Sequence, residues 1–249
     1  MSSLSHWLIL HKKQVKNTLF VFAHPDDEVI HGGALLYWMA AHSFTPHVLI
    51  LTHGENGINR TYTNRSRLTN IRHKEFIAVM KQAHIMHASI LHLPDGGLIA
   101  CQRDTRSIIH TYCHDHHIGA IVTHDPTGGT GHPDHITISW ICKQLATANN
   151  LHLFYSIDPM IQYNKDIKYT RYELALSKKM VLKKIQLLEM YVSQITKKEI
   201  SAITLRLLFT PYEYFACIKK GPRVAFKYTR FHPRGYTFVP DTHTRTVHV

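Results

Sequence analysis

Leu19-Phe20-Val21-Phe22-Ala23-His24-Pro25-Asp26-Asp27-Glu28 is the stretch on which the reading of this chain turns. Four large apolar residues in a row suit a buried strand, and that strand empties into a histidine and three acids. Carboxylates lose hydration at the end of a buried strand, a cost tolerated mainly where a metal or a reaction uses them. A second apolar run, Ile118 to Val122, opens in the same way onto Thr123-His124-Asp125-Pro126-Thr127-Gly128-Gly129-Thr130-Gly131-His132-Pro133-Asp134-His135. Two His/Asp clusters at the ends of two strands are the raw material of a metal site.

Outward from these runs, short apolar segments alternate with longer amphipathic ones. Strands are expected at 19–23, 47–52, 89–93, 118–123 and 151–156, with helices at about 29–42, 65–84, 103–116 and 133–147. Strands alternating with helices predict an α/β chain: a Rossmann-like three-layer fold, with a mainly parallel sheet and helices on both faces. A smaller, irregular C-terminal extension is expected after it. Right-handed crossovers bring the loops after the strands to one edge of the sheet, where ligands bind as the strand order reverses. The loops at 24–28, 53–57, 94–97 and 124–135 all follow strands, so they converge on one crevice. One domain is expected over 1–249, with a catalytic core at about 17–156 and a basic portion at about 157–249 completing the fold. Within that portion the pattern predicts a helix over 177–194, a strand within 206–218 and a loosely ordered tail from Arg230.

The chain of 249 residues is 44% apolar, ordinary for a globular protein. No apolar stretch reaches the ~18 residues of a membrane helix. Met1 to Lys16 does not match a secretory signal, and Cys101, Cys113, Cys142 and Cys217 lack C-x-x-C spacing. Reduced thiols and a cytoplasmic location are the expectation. The net charge of +12 is uneven: residues 1–150 carry 12 Lys/Arg against 10 Asp/Glu, and residues 151–249 carry 17 against 7. A basic third suits nucleic acid, an anionic surface or an acidic substrate. Its basic residues are scattered and lack interleaved aromatics, which favours a solvated face and leaves peripheral contact with an anionic surface open. With 22 histidines, chance alone supplies about two H-x-x-H spacings. There are three, and only His132/His135 has glycines before it and Pro-Asp inside it.

His24 and Asp27, three apart at a strand-to-helix junction, can reach one point, and His135 can join them from the later loop. Two histidines and a carboxylate suit Zn²⁺, as well as other divalent metals, and leave a fourth position for water. The alternative, in which His24 and Asp27 merely cap a helix, accounts for one acid but not for three beside a second cluster. Asp26 is then the natural general base for an attacking water. His132 is placed to donate to an oxyanion, particularly if Asp134 holds it charged. Arg72, Asp95 and Glu55 lie on or near the same rim and are candidate substrate contacts. Their alternative is structural, with Arg72 and Glu75 pairing within a helix and Asp95 capping a turn.

Ala23-His24-Pro25-Asp26-Asp27-Glu28 together with Gly131-His132-Pro133-Asp134-His135 resembles the paired signature of the PIG-L/LmbE-like zinc de-N-acetylases. Leu51-Thr52-x-Gly54-Glu55-x-Gly57, Arg72-x-x-Glu75, Leu93-Pro94-Asp95-Gly96-Gly97-Leu98 and Ser193-Gln194 fall in the matching order. The resemblance covers about residues 17–145 and implies His24, Asp27 and His135 as ligands, Asp26 as base and His132 as the transition-state histidine. It implies removal of acetyl from an N-acetylglucosaminyl moiety, giving a free amine and acetate. Tyr191 departs from the pattern, standing where the family often has histidine, and the basic 56–72 segment falls where substrate loops vary. Other readings are an amidase of the same site acting on another acyl or thiol conjugate, a nucleotide-binding module built on Gly128-Gly129-x-Gly131, and a nucleic-acid binder using the basic third.

Overall fold

A computed structural model describes residues 2–57, 59–61, 63–129, 131–157 and 170–217. In chain order, a two-residue strand β1 (Ser2–Ser3) precedes helices α1 (Leu4–Leu10) and α2 (Lys12–Val15). The alternating part follows: β2 (Asn17–Phe22), α3 (Asp27–Ala41), β3 (Thr45–Thr52), α4 (Arg65–Gln82), β4 (His87–Leu93), α5 (Gln102–Asp115), β5 (Ala120–His124), α6 (Pro133–Asn149) and β6 (His152–Ile157). The described chain closes with β7 (Thr170–Ala175), α7 (Lys178–Leu188), α8 (Lys197–Phe209) and β8 (Tyr212–Cys217).

Among the described residues, eight strands form one sheet in the order β1-β7-β8-β6-β5-β2-β3-β4. Only β8 runs against its neighbours; the other pairings are parallel. Because side chains alternate along a strand, β2 sends Phe20 and Phe22 into one core and Leu19 and Val21 into another. The first core packs α1, α3, α4 and α7 on one face, and the second packs α5 and α6 on the opposite face. The result is the three-layer arrangement expected from the alternating pattern. From β2 the chain winds outward through β3 to β4, then returns to place β5 on the other side of β2. The strand order therefore reverses between β2 and β5, the two strands whose ends carry the His/Asp clusters.

Helix α3 is broken inside, at Gly32 (φ −149°, ψ 15°). A break strands backbone groups on both sides of it. Ala34 N and Leu35 N donate to Glu213 Oε1 and Oε2, each at 2.9 Å, and Lys184 Nζ donates to Ile30 O at 2.8 Å. Lys184 and Glu213 then close on one another at 2.7 Å, both almost wholly buried. A strand and a helix from the C-terminal portion thus satisfy a break in the helix that begins at the acidic cluster.

The later elements depart from the sequence reading. The expected strand at 206–218 begins only at Tyr212, because α8 continues to Phe209 and gives way just before Pro211. A capping box, Thr196 with Glu199, fixes the start of α8. The helix expected over 177–194 ends at Leu188. Strand β7 was not expected: it has only Tyr172 and Leu174 on its buried side, too few for a period to register. The tail from Arg230 lies outside the described residues.

At the far edge, His47 stacks on His87 (4.4 Å between centroids) and lies 5.1 Å from His116. Burial, with the two neighbouring imidazoles, lowers the His47 pKa to about 4. A depressed histidine contributes stability that is complete above its unfolded value of about 6.5 and is lost as pH falls towards 4, at most about 3 kcal/mol here. His47→Phe is expected to shrink the fall in melting temperature between pH 7 and pH 5. An undiminished fall would assign that acid sensitivity elsewhere.

Candidate metal centre

Pro25 and Asp26 turn the chain from β2 into α3, and Asp26 adopts φ 108°, a region that side chains other than glycine occupy only at a cost. The turn folds Asp27 back so that its Oδ2 accepts from His24 N at 2.9 Å. His24 Nδ1 lies 3.3 Å from the same oxygen. Across the strand pair, His135 Nε2, from the first turn of α6, lies 3.3 Å from Asp27 Oδ2 and 3.2 Å from His24 Nδ1. Three ligand atoms bonded at ~2.0–2.1 Å to one tetrahedral ion stand about 3.3 Å apart. The His24/Asp27/His135 triangle matches that spacing on every edge.

The remaining ring nitrogens are committed elsewhere, as metal-binding histidines require. His135 Nδ1 donates to Gly128 O at 3.1 Å, which leaves Nε2 facing the triangle. Gly128 sits at φ 71°, and a Cβ there would come 2.8 Å from Ile136 and 3.0 Å from His132 O. Gly128 of this loop therefore serves His135. His24 Nε2 meets Asp95 Oδ1 at 2.9 Å, with Asp134 Oδ2 at 3.6 Å. Burial opposes charge on His24, but Asp134, Asp27 and Asp95 outweigh it and raise its pKa well above the ordinary value. Burial would raise the Asp27 pKa, and His135 and His124 overturn that and hold it well below the carboxylate range. The donor set fits a divalent ion of the Zn²⁺ type.

Asp26 is the next acid. Burial, then the charges of Asp27 and Glu28, push its pKa well above the usual value against the opposing pull of His24 and Arg72. Glu28 points into the protein: it accepts from Tyr191 Oη and from Asp26 N and is raised by burial to about 7. Tyr191 is fully buried, so this departure from the family pattern belongs to the core and not to the crevice.

Several roles expected from the sequence change. Asp134 does not pair with the His132 side chain. It is fully buried, and its two oxygens accept from Gly96 N (2.7 Å) and Leu98 N (3.1 Å). His132 Nδ1 instead accepts from Asp134 N at 3.2 Å, capping α6, and burial with His24 and His135 lowers its pKa. With Nδ1 accepting, Nε2 is the nitrogen left to donate, and the downward shift runs against the expected imidazolium. Asp95, expected at the substrate rim, holds His24 through Oδ1 and Asn56 N through Oδ2. Glu55 Oε1 accepts from Asp95 N and so supports the same loop. Arg72 is buried and donates to Gly54 O, and a Cβ at Gly54 or Gly57 would run into its guanidinium. Glu75 does not pair with Arg72 within the helix; it accepts from Ser193 N and Oγ at 2.8 and 2.5 Å.

Asp95→Asn is expected to weaken metal affinity about 10–100-fold while leaving KM nearly unchanged, as for other groups that orient a ligand. A raised KM with unaltered metal affinity would restore Asp95 to substrate contact. Two further histidines, His31 and His124, also converge on Asp27. Sequence reasoning quoted His124 without using it, and His31 stood unmarked inside a helix.

The PIG-L family model, described as GlcNAc-PI de-N-acetylase, matches residues 19–146. A 1D-myo-inositol 2-acetamido-2-deoxy-alpha-D-glucopyranoside deacetylase from Mycolicibacterium smegmatis is 31% identical over 47% of the chain and 49% of its own length. A probable N-acetylglucosaminyl-phosphatidylinositol de-N-acetylase from Schizosaccharomyces pombe is 30% identical over 50% of each. The chain thus spans about half the length of the curated relatives it matches. The N,N'-diacetylchitobiose deacetylase structure from Pyrococcus horikoshii superposes with TM-score 0.64 over 87% of this chain and 93% of that one; at 15% identity this speaks for the fold alone. The family match spans just over half of the chain and takes in both strand-end clusters, and on that ground the chain belongs to the PIG-L family.

Proposed function

We propose that the protein is a zinc-dependent hydrolase that removes acetyl from an N-acetylglucosaminyl or related amino-sugar conjugate and releases acetate. The observation that carries this reading is the triangle of His24 Nδ1, Asp27 Oδ2 and His135 Nε2, 3.2–3.3 Å on each edge, with Asp26 beside it. A divalent ion held there would lower the pKa of a water and polarise the amide carbonyl.

The protein's own groups supply the rest. Asp26 takes the proton of the attacking water and returns it to the departing amine, a task suited to a carboxylate whose pKa is raised well above its ordinary value. His132 turns its Nε2–H to the carbonyl oxygen as negative charge gathers there, with Nδ1 fixed by Asp134 N. Asp134 acts at one remove, holding the 96–98 loop and facing His24. Arg72 lends positive charge near Asp26 and shapes the rim through Gly54. In the basic C-terminal portion, α8 exposes Lys197 and Lys198, which supports peripheral contact with an anionic surface. Among the described residues, no helix is long and apolar enough to cross a membrane.

The test is acetate release from a panel of N-acetylglucosaminyl conjugates by the zinc-loaded protein, with thiol-conjugate amides as the competing set. Turnover confined to the N-acetyl sugars supports the deacetylase. Turnover confined to the other amides would transfer the same site to a different amidase.

A further inference from the structure

Asp27 uses only one side of its carboxylate in the triangle. Its other oxygen, Oδ1, faces His31 Nε2 at 4.0 Å. His31 stands four residues after Asp27 on α3, so the two side chains share one face of the helix. From the neighbouring strand, His124, the last residue of β5, brings Nε2 to 3.4 Å from Asp27 Oδ2. Asp27, His31, His124 and His135 can each present a ligand atom such that all four lie within 4.8 Å of one another.

We propose that His31 and His124, with Asp27 as a shared carboxylate, form a second divalent-metal position beside the His24/Asp27/His135 position. The inference rests on the metal reading of the first position and extends it.

The surroundings of His31 and His124 support the second position. His124 is almost wholly buried, and it is Nε2 that faces Asp27. Ala23 N approaches Nε2 only at 3.4 Å, beyond the usual N–H donor distance, so little is lost if that nitrogen turns to a metal. Placement is rigid: the His124 ring stacks on His135 at 3.7 Å with 7° between planes, and Phe22 meets its edge at 4.8 Å. His31 stands edge-on to His124 at 5.0 Å and is the partly exposed member, giving an ion a way in. Carboxylates bridge ions about 3.5–4 Å apart in two-metal sites, and Asp27 offers one oxygen to each position. The second position is the looser one, with His31 Nε2 4.0 Å from Asp27 Oδ1 against 3.2–3.3 Å on each edge of the first, so it fills after the first.

Apo-protein prepared by chelation would be titrated calorimetrically with Zn²⁺, and in parallel with Co²⁺ followed by visible absorption. The native chain is expected to bind two equivalents, the second at least tenfold more weakly. His31→Gln and His31→Gln/His124→Phe are expected to bind one, with the tight event unchanged and the melting temperature close to native for the single variant. A native chain that stops at one equivalent, or a weaker second equivalent that survives in His31→Gln, would overturn the second position. Absence of the tight event alone, with the weaker one still removed by His31→Gln, would overturn the first position and leave this one standing.

Discussion

Asp26→Asn is expected to retain its metal and to lose about 10²–10⁴-fold in kcat, the usual worth of a positioned acid–base group. An amide cannot accept the water's proton, yet it keeps the shape of the side chain at a backbone position already strained at φ 108°. Burial and the charges of Asp27 and Glu28 raise the Asp26 pKa, so the native rate should fall as pH drops through that raised value. The base works only when ionised, and the acid limb should therefore lie above the ordinary carboxylate range. In contrast, Asp27→Asn should lower metal affinity first. Metal content by mass spectrometry and kcat on an N-acetylglucosaminyl substrate separate the two variants. Metal loss in Asp26→Asn with retention in Asp27→Asn would exchange their roles.

Glu213→Ala is expected to cost about 3–5 kcal/mol, the penalty for leaving a buried charge without its partner. Lys184 would lose its counter-ion, and Ala34 N and Leu35 N would lose their acceptors at the break in α3. In a domain of this size, that lowers the melting temperature by on the order of 10 °C. Glu213→Gln keeps one acceptor and should fall between native and alanine. Urea denaturation monitored by circular dichroism gives the difference directly. A loss below about 1 kcal/mol would show that water or a rearranged α3 satisfies the break.

The parallel core was legible because its signals are local. Each run such as Leu19–Phe22 is long enough to be a strand, and each is followed by a polar loop that folding alone does not call for. That His24, Asp27 and His135 come together follows from the same signals, since they stand in the loop and helix starts that follow β2 and β5, beside the reversal in strand order. The C-terminal elements were harder because their cause is remote. Glu213 lies in β8 to meet a break in α3 some 180 residues earlier, and no periodicity in β8 announces that. Roles within the site were hidden by the same distance. Asp95 looked like a rim residue, yet its Oδ1 holds His24; Asp134 looked like the partner of its neighbour His132, yet it reaches the 96–98 loop. Polar residues next to one another in sequence were assumed to pair, whereas the folded loops found them partners 36 to 71 residues away.

The most direct test of the metal site is anomalous diffraction at the zinc edge from crystals of the zinc-loaded protein. The strongest peak is expected about 2.0–2.1 Å from His24 Nδ1, Asp27 Oδ2 and His135 Nε2. A peak on the opposite nitrogen of His24, between Asp95 and Asp134, or no peak at all near Asp27, would contradict it.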